Sequence, residues 1–276
     1  PGDHDLSSLR LLGTVGEPIS RRTWEWYRRE VGDGSTPIVD TWWQTETGGM
    51  MATTLPGVDD MRPGFAGCPL PGIQLEVVEA DGTPAAPGAP GYLFVTRPWP
   101  GMPVSLAAGD GRLNGDDDLP FRREDGWSYY TGDRAVMDQE SRLRLLGRVE
   151  DVVSFEEARY TAVTFESAIL DLEGVAEAAV VDGEAGRGET LFAFVSVVDG
   201  SGADPASIRA SIGEIVGDEA DRVEVVFTSE LPKTRSGKIM RRLLRAVTEG
   251  EEIDDTSALS NPEIVGELRT VIHDGQ

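Results

Sequence analysis

Lysine is nearly absent from this chain. Its 276 residues contain two, Lys233 and Lys238, both within Pro232-Lys233-Thr234-Arg235-Ser236-Gly237-Lys238. Elsewhere positive charge is carried by arginine. A chain that discards lysine and keeps two in one short segment needs an ammonium there. Lysine is a compact point charge on a flexible stem, suited to meeting a phosphate or carboxylate inside a site. Cysteine is just as scarce. Cys68 stands alone, which excludes an internal disulfide and a multi-cysteine metal centre and fits a reducing, cytoplasmic setting. No apolar run approaches the roughly 18 residues of a membrane span, so none is expected. Basic residues are outnumbered 25 to 49, giving a net charge of -24. That excludes nucleic acid as a natural partner, because its phosphates demand the opposite sign. The same acidic, lysine-poor composition suits life at high salt, where screening shortens the reach of self-repulsion. The opening Pro1-Gly2-Asp3-His4-Asp5 lacks Met and has the character of neither a signal nor a transit peptide. The chain is therefore expected to begin partway through a longer protein.

What is present is enough for a core. The hydrophobic content is 39%, and the length allows one large domain or two ordinary ones. Residues 19–31 read as an amphipathic helix, and Ile38–Trp43 as a buried strand entering a polar loop. Strands are expected at Gln74–Val78, Tyr92–Thr96, Trp127–Tyr130 and Leu143–Leu146, with an irregular acidic excursion over 100–126. After Arg148 the pattern changes. A short strand at 151–155, a helix at Thr161–Leu172, strands at Val175–Val181 and Leu191–Val198, a helix at Pro205–Val216 and a strand at Val223–Phe227 describe a compact ferredoxin-like α+β unit. A basic helix over Gly237–Val247 closes it, and the acidic tail carries a short helix at most. The expected division is 1–148 and 149–276, with a hinge near Glu150.

Four segments carry candidate chemistry. Pro232–Arg245 holds six cations and no acid, with Ser236-Gly237 as a turn that projects Lys238 from a loop at a helix start; the alternative is a solvated basic helix. Thr41-Trp42-Trp43-Gln44-Thr45-Glu46-Thr47-Gly48-Gly49 sets aromatic walls beside convergent polar groups, as small-ligand pockets do, or else ends a core strand in a glycine turn. In the pocket reading Glu46 offers a carboxylate to Mg²⁺, a hard cation. In Tyr130-Thr131-Gly132-Asp133 an acid after a glycine turn can accept from both ribose hydroxyls, although such turns are common. Gly147-Arg148-Val149-Glu150-Asp151 offers Arg148 to a phosphate or ribose, or forms a charged linker.

Together and in this order these segments resemble the AMP-forming acetyl-CoA synthetases, within the adenylate-forming enzymes. Leu12–Pro18, Trp99–Met102 and Leu231–Arg242 add to the resemblance, which runs from about Leu9 to the tail. It implies the C-terminal part of a large α/β domain, with mixed sheets and a small β-barrel-like part, followed by a small ferredoxin-like α+β domain. It implies acetate, ATP and coenzyme A as substrates, with AMP as product and Mg²⁺ as cofactor. By matched position, Gly16, Glu17 and Pro18 would line the adenine pocket. Asp40, Thr41, Trp42, Trp43, Gln44 and Thr45 would surround adenine, phosphate and acyl group, with Trp43 keeping the acyl pocket small. Glu46 would ligate Mg²⁺, Asp133 would bind ribose, Arg148 would contact the nucleotide, and Lys238 would be the adenylation lysine. The family's glycine-rich phosphate loop is not in this chain, which makes an upstream domain or separate N-terminal half an expected partner. A second departure follows the hinge. The family reads close to Asn-Val-Ser-Gly-His-Arg-Leu-Gly-Thr where this chain has Ser154–Ala162; Arg159 survives, and Glu156 and Glu157 replace the turn that contacts coenzyme A. Leu172 stands where a metal-associated His is usual. An active enzyme, an altered acceptor and a non-catalytic remnant all remain open at this point.

Overall fold

Contacts divide the chain into two units, Pro1–Val149 and Glu150–Gln276. The computed structural model describes residues 1–102, 128–156, 158–185, 188–198, 200, 202–253 and 256–274. The expected excursion over 100–126 falls mostly outside them, as do Trp127 and Glu157.

In the first unit, β1 (Leu12–Val15) and β2 (Ile38–Gln44) pair in parallel, and β3 (Gly49–Thr53) and β4 (Cys68–Pro69) extend the sheet antiparallel. A parallel pair needs a crossover, here supplied by α1 (Arg21–Trp26) and a π turn over Tyr27–Val31. Ser20 caps α1 by accepting from the Thr23 backbone N–H at 3.1 Å. Trp24 then packs with Leu12 and Ile38 beneath the sheet. The second sheet is antiparallel, in the order β5 (Leu75–Val78), β6 (Pro90–Val95), β7 (Tyr129–Met137), β8 (Leu143–Arg148). It is open, and this corrects the barrel-like expectation: among the described residues β5 and β8 do not pair. Trp42, Met51 and Ala52 of the first sheet share a core with Val77, Leu93, Val95, Ala135 and Leu143 of the second.

The second unit starts with a hairpin of β9 (Val152–Phe155) and β10 (Ala158–Thr161), followed by α2 (Ala162–Leu170). A three-stranded sheet in the order β11 (Val175–Ala185), β12 (Gly188–Val197), β13 (Val223–Phe227) forms its centre. Helix α3 (Pro205–Val216) opens with a capping box between Asp204 and Ser207 and with proline in its first turn. Successive strand residues face opposite sides. Ala178, Val180, Leu191 and Ala193 pack with Phe165, Ile169, Ile208 and Ile212 of α2 and α3. Ala179, Val181, Phe192 and Phe194 pack against α4 (Arg241–Thr248) and α5 (Ile264–Asp274). Burial on both faces explains why these strands read as nearly continuous apolar runs, interrupted by Glu177 and Ser196.

Three expectations change. Among the described residues the 151–155 strand pairs with β10 and does not join the main sheet, so that sheet has three strands where a ferredoxin-like one has four. The basic helix begins at Arg241, not Gly237. The tail helix has 11 residues and buries Ile264, Val265, Leu268 and Ile272 in the core. No helix among the described residues is long and apolar enough to cross a membrane.

Candidate functional site

The parallel register sets Thr14 beside Asp40 and Val15 beside Thr41, so β1 ends there while β2 runs on to Gln44. Gly16-Glu17-Pro18 leaves one strand where Trp42–Gln44 completes the other. The crevice outside the carboxyl ends of parallel strands is where open α/β sheets take ligands. Gly16 holds φ at 101°, a left-handed turn that suits glycine. Gly16 and Glu17 are exposed and Pro18 is half-buried.

Strand alternation sorts β2. Asp40 and Trp42 point into the unit, while Trp43 points out and is 47% exposed. Asp40 accepts from the Thr14 hydroxyl at 2.9 Å and the Thr41 N–H at 3.0 Å. Burial outweighs these bonds and raises its pKa to about 6. The Thr41 hydroxyl pairs with that of Thr53 at 2.8 Å. The two tryptophans therefore do different work: one is core, the other surface.

Asp133 gathers the site. Its Oδ2 accepts from Trp42 Nε1 at 3.0 Å and Gln44 Nε2 at 2.7 Å, and its Oδ1 accepts from Arg148 Nη1 at 3.2 Å. Gln44 and Arg148 also both donate to the Thr131 carbonyl at 2.8 Å. Burial pushes the Asp133 carboxyl above its usual range, against the Arg148 charge and the donors that favour the carboxylate. The expected glycine turn before Asp133 is corrected here. Residues 130–133 lie inside β7, and the register with β6 shifts where Thr131–Asp133 pass Leu93, forming a bulge. Gly132 holds φ at 70° there, and a Cβ on it would lie 2.9 Å from Arg148 Nη2. Glycine thus serves both the bulge and the seat of the guanidinium. Arg148 reaches Asp133 because the two are directly paired between β8 and β7.

Tyr129, Trp99 and Thr47 complete the cluster, and sequence reading assigned none of them a role. The Tyr129 hydroxyl donates to Gln44 Oε1 at 3.0 Å, which orients the amide so that its N–H groups face Asp133. Burial, then the Glu46 charge, hold that phenol protonated, with a pKa of about 12. Trp99 Nε1 donates to the Thr47 carbonyl at 2.8 Å, and its ring lies 6.0 Å from that of Tyr129. Thr47 closes the 3-10 turn Thr45–Thr47, and Gly48 leaves it at a φ of 67°. Thr45 and Glu46 sit exposed on this turn. Trp99 and Thr47 each lie within a matched stretch, whereas Tyr129 is marked only as part of an expected strand. Among the described residues no three His, Cys, Asp or Glu side chains are grouped to cage a metal. A lone exposed carboxylate such as Glu46 fits Mg²⁺ held jointly with phosphate oxygens and water.

Lys238 and Arg159 belong to the second unit. Arg159 is exposed on β10. Lys238 sits in a tight hairpin that leads into α4 three residues later. The Thr234 N–H donates to its carbonyl at 2.9 Å, its own N–H donates to Thr234 Oγ1 at 3.1 Å, and Lys233 bridges Ile239. Its side chain is exposed, whereas Lys233 is an anchor, with Nζ 2.7 Å from Glu177. Arg241 and Arg245 are not a solvated basic face either, being paired to Glu166 and Asp182 at 2.7 and 2.8 Å. At the altered turn between β9 and β10, Glu156 holds φ at 49°. Its N–H donates to Glu189 at 2.8 Å and its carboxylate pairs with Arg222.

Two family models match the chain. The AMP-binding enzyme model covers residues 1–102, and the AMP-binding enzyme C-terminal domain model covers 164–238. Acetyl-coenzyme A synthetase of Mycolicibacterium smegmatis is 44% identical over 98% of this chain and 30% of its own length. That of Chlorobaculum tepidum is 45% identical over 96% of this chain and 40% of its own. The chain thus spans less than half the length of these relatives. Among solved structures, amide bond synthetase McbA from Marinactinospora thermotolerans superposes with a TM-score of 0.71 at 25% identity, over 89% of this chain and 48% of that one. An anthranilate CoA ligase in complex with anthranoyl-AMP gives 0.70 at 24% identity, over 89% and 46%. Two models of one enzyme type, in order and together covering more than half of the residues, show that the chain belongs to the AMP-binding, adenylate-forming enzyme family.

Proposed function

We propose that this chain is the ribose-binding and catalytic-lysine portion of an AMP-forming acetate–CoA ligase. Such an enzyme joins an acetate oxygen to the α-phosphorus of ATP and expels pyrophosphate. The thiol of coenzyme A then takes the acetyl group, and AMP leaves. The single observation that carries this reading is the Asp133 cluster, a buried carboxylate oriented by Trp42, Gln44 and Arg148 beside the ends of two parallel strands. A carboxylate fixed by donors on one side presents its remaining lone pairs in a set direction, as recognition of paired ribose hydroxyls requires. Arg148, always charged, is assigned to the nucleotide phosphates or ribose. Gly16, Glu17 and Pro18 are assigned to adenine, Trp43 to the acyl pocket, Arg159 to the acceptor, and Thr41, Gln44 and Thr45 to the nucleotide surroundings. Glu46 would hold Mg²⁺, which when bound offsets phosphate charge. Lys238 is assigned to the reacting oxygens: acetate and the α-phosphate are both anions, and a held ammonium offsets charge that grows as they join. The glycine-rich phosphate loop is assigned to an upstream portion of the protein, and the setting to the cytoplasm.

The test is acetate-dependent exchange of pyrophosphate into ATP by the chain joined to that upstream portion. Exchange with acetate that falls with longer acids supports the reading; no exchange with any carboxylate contradicts it.

Glu156 favours a second reading, in which the acyl-adenylate passes to an acceptor other than coenzyme A. It puts a carboxylate in a left-handed turn where the resemblance implies coenzyme A contact, and negative charge opposes a phosphorylated acceptor. Release of AMP from acetyl-AMP that coenzyme A fails to accelerate would select this alternative.

A further inference from the structure

The hairpin carrying Lys238 runs directly into α4, whose first residue, Arg241, is 7% exposed. Arg241 forms a two-pronged pair with Glu166 of α2: Nε donates to Oε1 at 2.8 Å and Nη2 to Oε2 at 2.7 Å. Glu166 is itself buried, and its Oε1 also accepts from the Val180 N–H of β11 at 3.1 Å. The third prong, Nη1, lies 3.7 Å from Asp151, just after the boundary between the units. One turn along α4, Arg245 donates twice to Asp182 Oδ1, while Asp182 Oδ2 accepts from the Ser154 N–H of β9. At its other end the hairpin is held by Lys233, whose Nζ meets Glu177 and whose N–H and carbonyl meet Asn261 and Ser260.

A buried ion pair is a poor device for stability, since the desolvation of both ions offsets much of their attraction. A planar arginine fork against a carboxylate is a good device for fixing direction. We propose that Arg241 and Glu166 are positioning residues for Lys238: they fix where the hairpin leaves α4 and hence where its ammonium is presented. This rests on the reading of Lys238 as the adenylation lysine. Misplacing a reacting group by about 1 Å slows a step by about a hundredfold. Transfer of a preformed acyl group to a thiol does not use that ammonium and is unaffected.

The experiment uses the completed enzyme and measures two half-reactions, acetate-dependent ATP–pyrophosphate exchange and discharge of supplied acetyl-AMP by coenzyme A. Replacing the pair by apolar residues of similar volume, Arg241→Met with Glu166→Met, keeps the packing. The expected result is exchange lowered about a hundredfold, with discharge and melting temperature close to the parent's. If the double variant melts early, Arg241→Lys serves instead: charge is kept and the fork is lost, and the same split between half-reactions is expected at smaller size. Equal loss in both half-reactions assigns the pair to folding and overturns the proposal. Lys238→Ala runs as the control. Exchange lost there but retained in the pair variants overturns the positioning role alone. Exchange retained in Lys238→Ala overturns the reading of Lys238, and the proposal with it.

Discussion

At the scale of single residues, two groups carry measurable consequences. Asp40 is buried with two donors, and its pKa is raised to about 6 from the usual 3.8. Because the folded-state value is raised, its contribution to stability is fully present below about pH 4 and is lost as pH rises through about 6. Asp40→Asn keeps an acceptor for Thr14 and removes the buried charge. It should stabilise the fold at pH 8 by on the order of 2 kcal/mol, raising the melting temperature there, and leave it unchanged near pH 4, as calorimetry at the two pH values can read. Gly132 is the second. Alanine there must hold a φ of 70° and place its Cβ 2.9 Å from Arg148 Nη2. Gly132→Ala should displace the guanidinium from Asp133 and lower stability by about 1–3 kcal/mol; under the proposed function it should also weaken AMP binding, as titration calorimetry can measure.

At the scale of elements, local chemistry was the legible part. Helix α3 and strand β13 run over Pro205–Val216 and Val223–Phe227, the spans their sequence patterns indicate, because Asp204, Pro205 and Ser207 start the helix by themselves. Lys238 is expected on a loop at a helix start and lies on one, but the helix begins at Arg241 and not Gly237, because residues 233–239 close a hairpin held by distant partners, Asn261 and Glu177, that no local pattern announces. Helix α5 was underestimated for a similar reason. Its acidic surroundings read as tail, yet Leu268 is 1% exposed against the central sheet. Leu268→Ala should therefore destabilise the second unit by about 2–5 kcal/mol, a core-sized penalty, measurable by urea unfolding. At the candidate site, Trp42 and Asp133 were each visible as candidates, but their hydrogen bond joins positions 91 residues apart. Thr131 lies in a candidate segment but its carbonyl carries no sequence signal, and neither does the Tyr129 hydroxyl, since their roles come from the bulge in β7 and not from their own neighbours in sequence.

At the scale of the whole molecule, charge is the dominant feature. Several arginines and Lys233 are committed to ion pairs, among them Arg142, Arg148, Arg222, Arg241 and Arg245. With a net charge of -24, the chain should resist compaction at low ionic strength, where self-repulsion is unscreened. Its melting temperature should rise steadily between 0.1 M and 2 M KCl, and a flat profile would remove the case for salt adaptation. In the proposed function, activity rests on one retained ammonium. The most direct measurement compares Lys238→Ala with the parent in the completed enzyme, following acetyl-adenylate formation and coenzyme A discharge of supplied acetyl-AMP separately. The account predicts that the first is abolished and the second persists at close to the parental rate; equal rates of adenylate formation in the two proteins would contradict it.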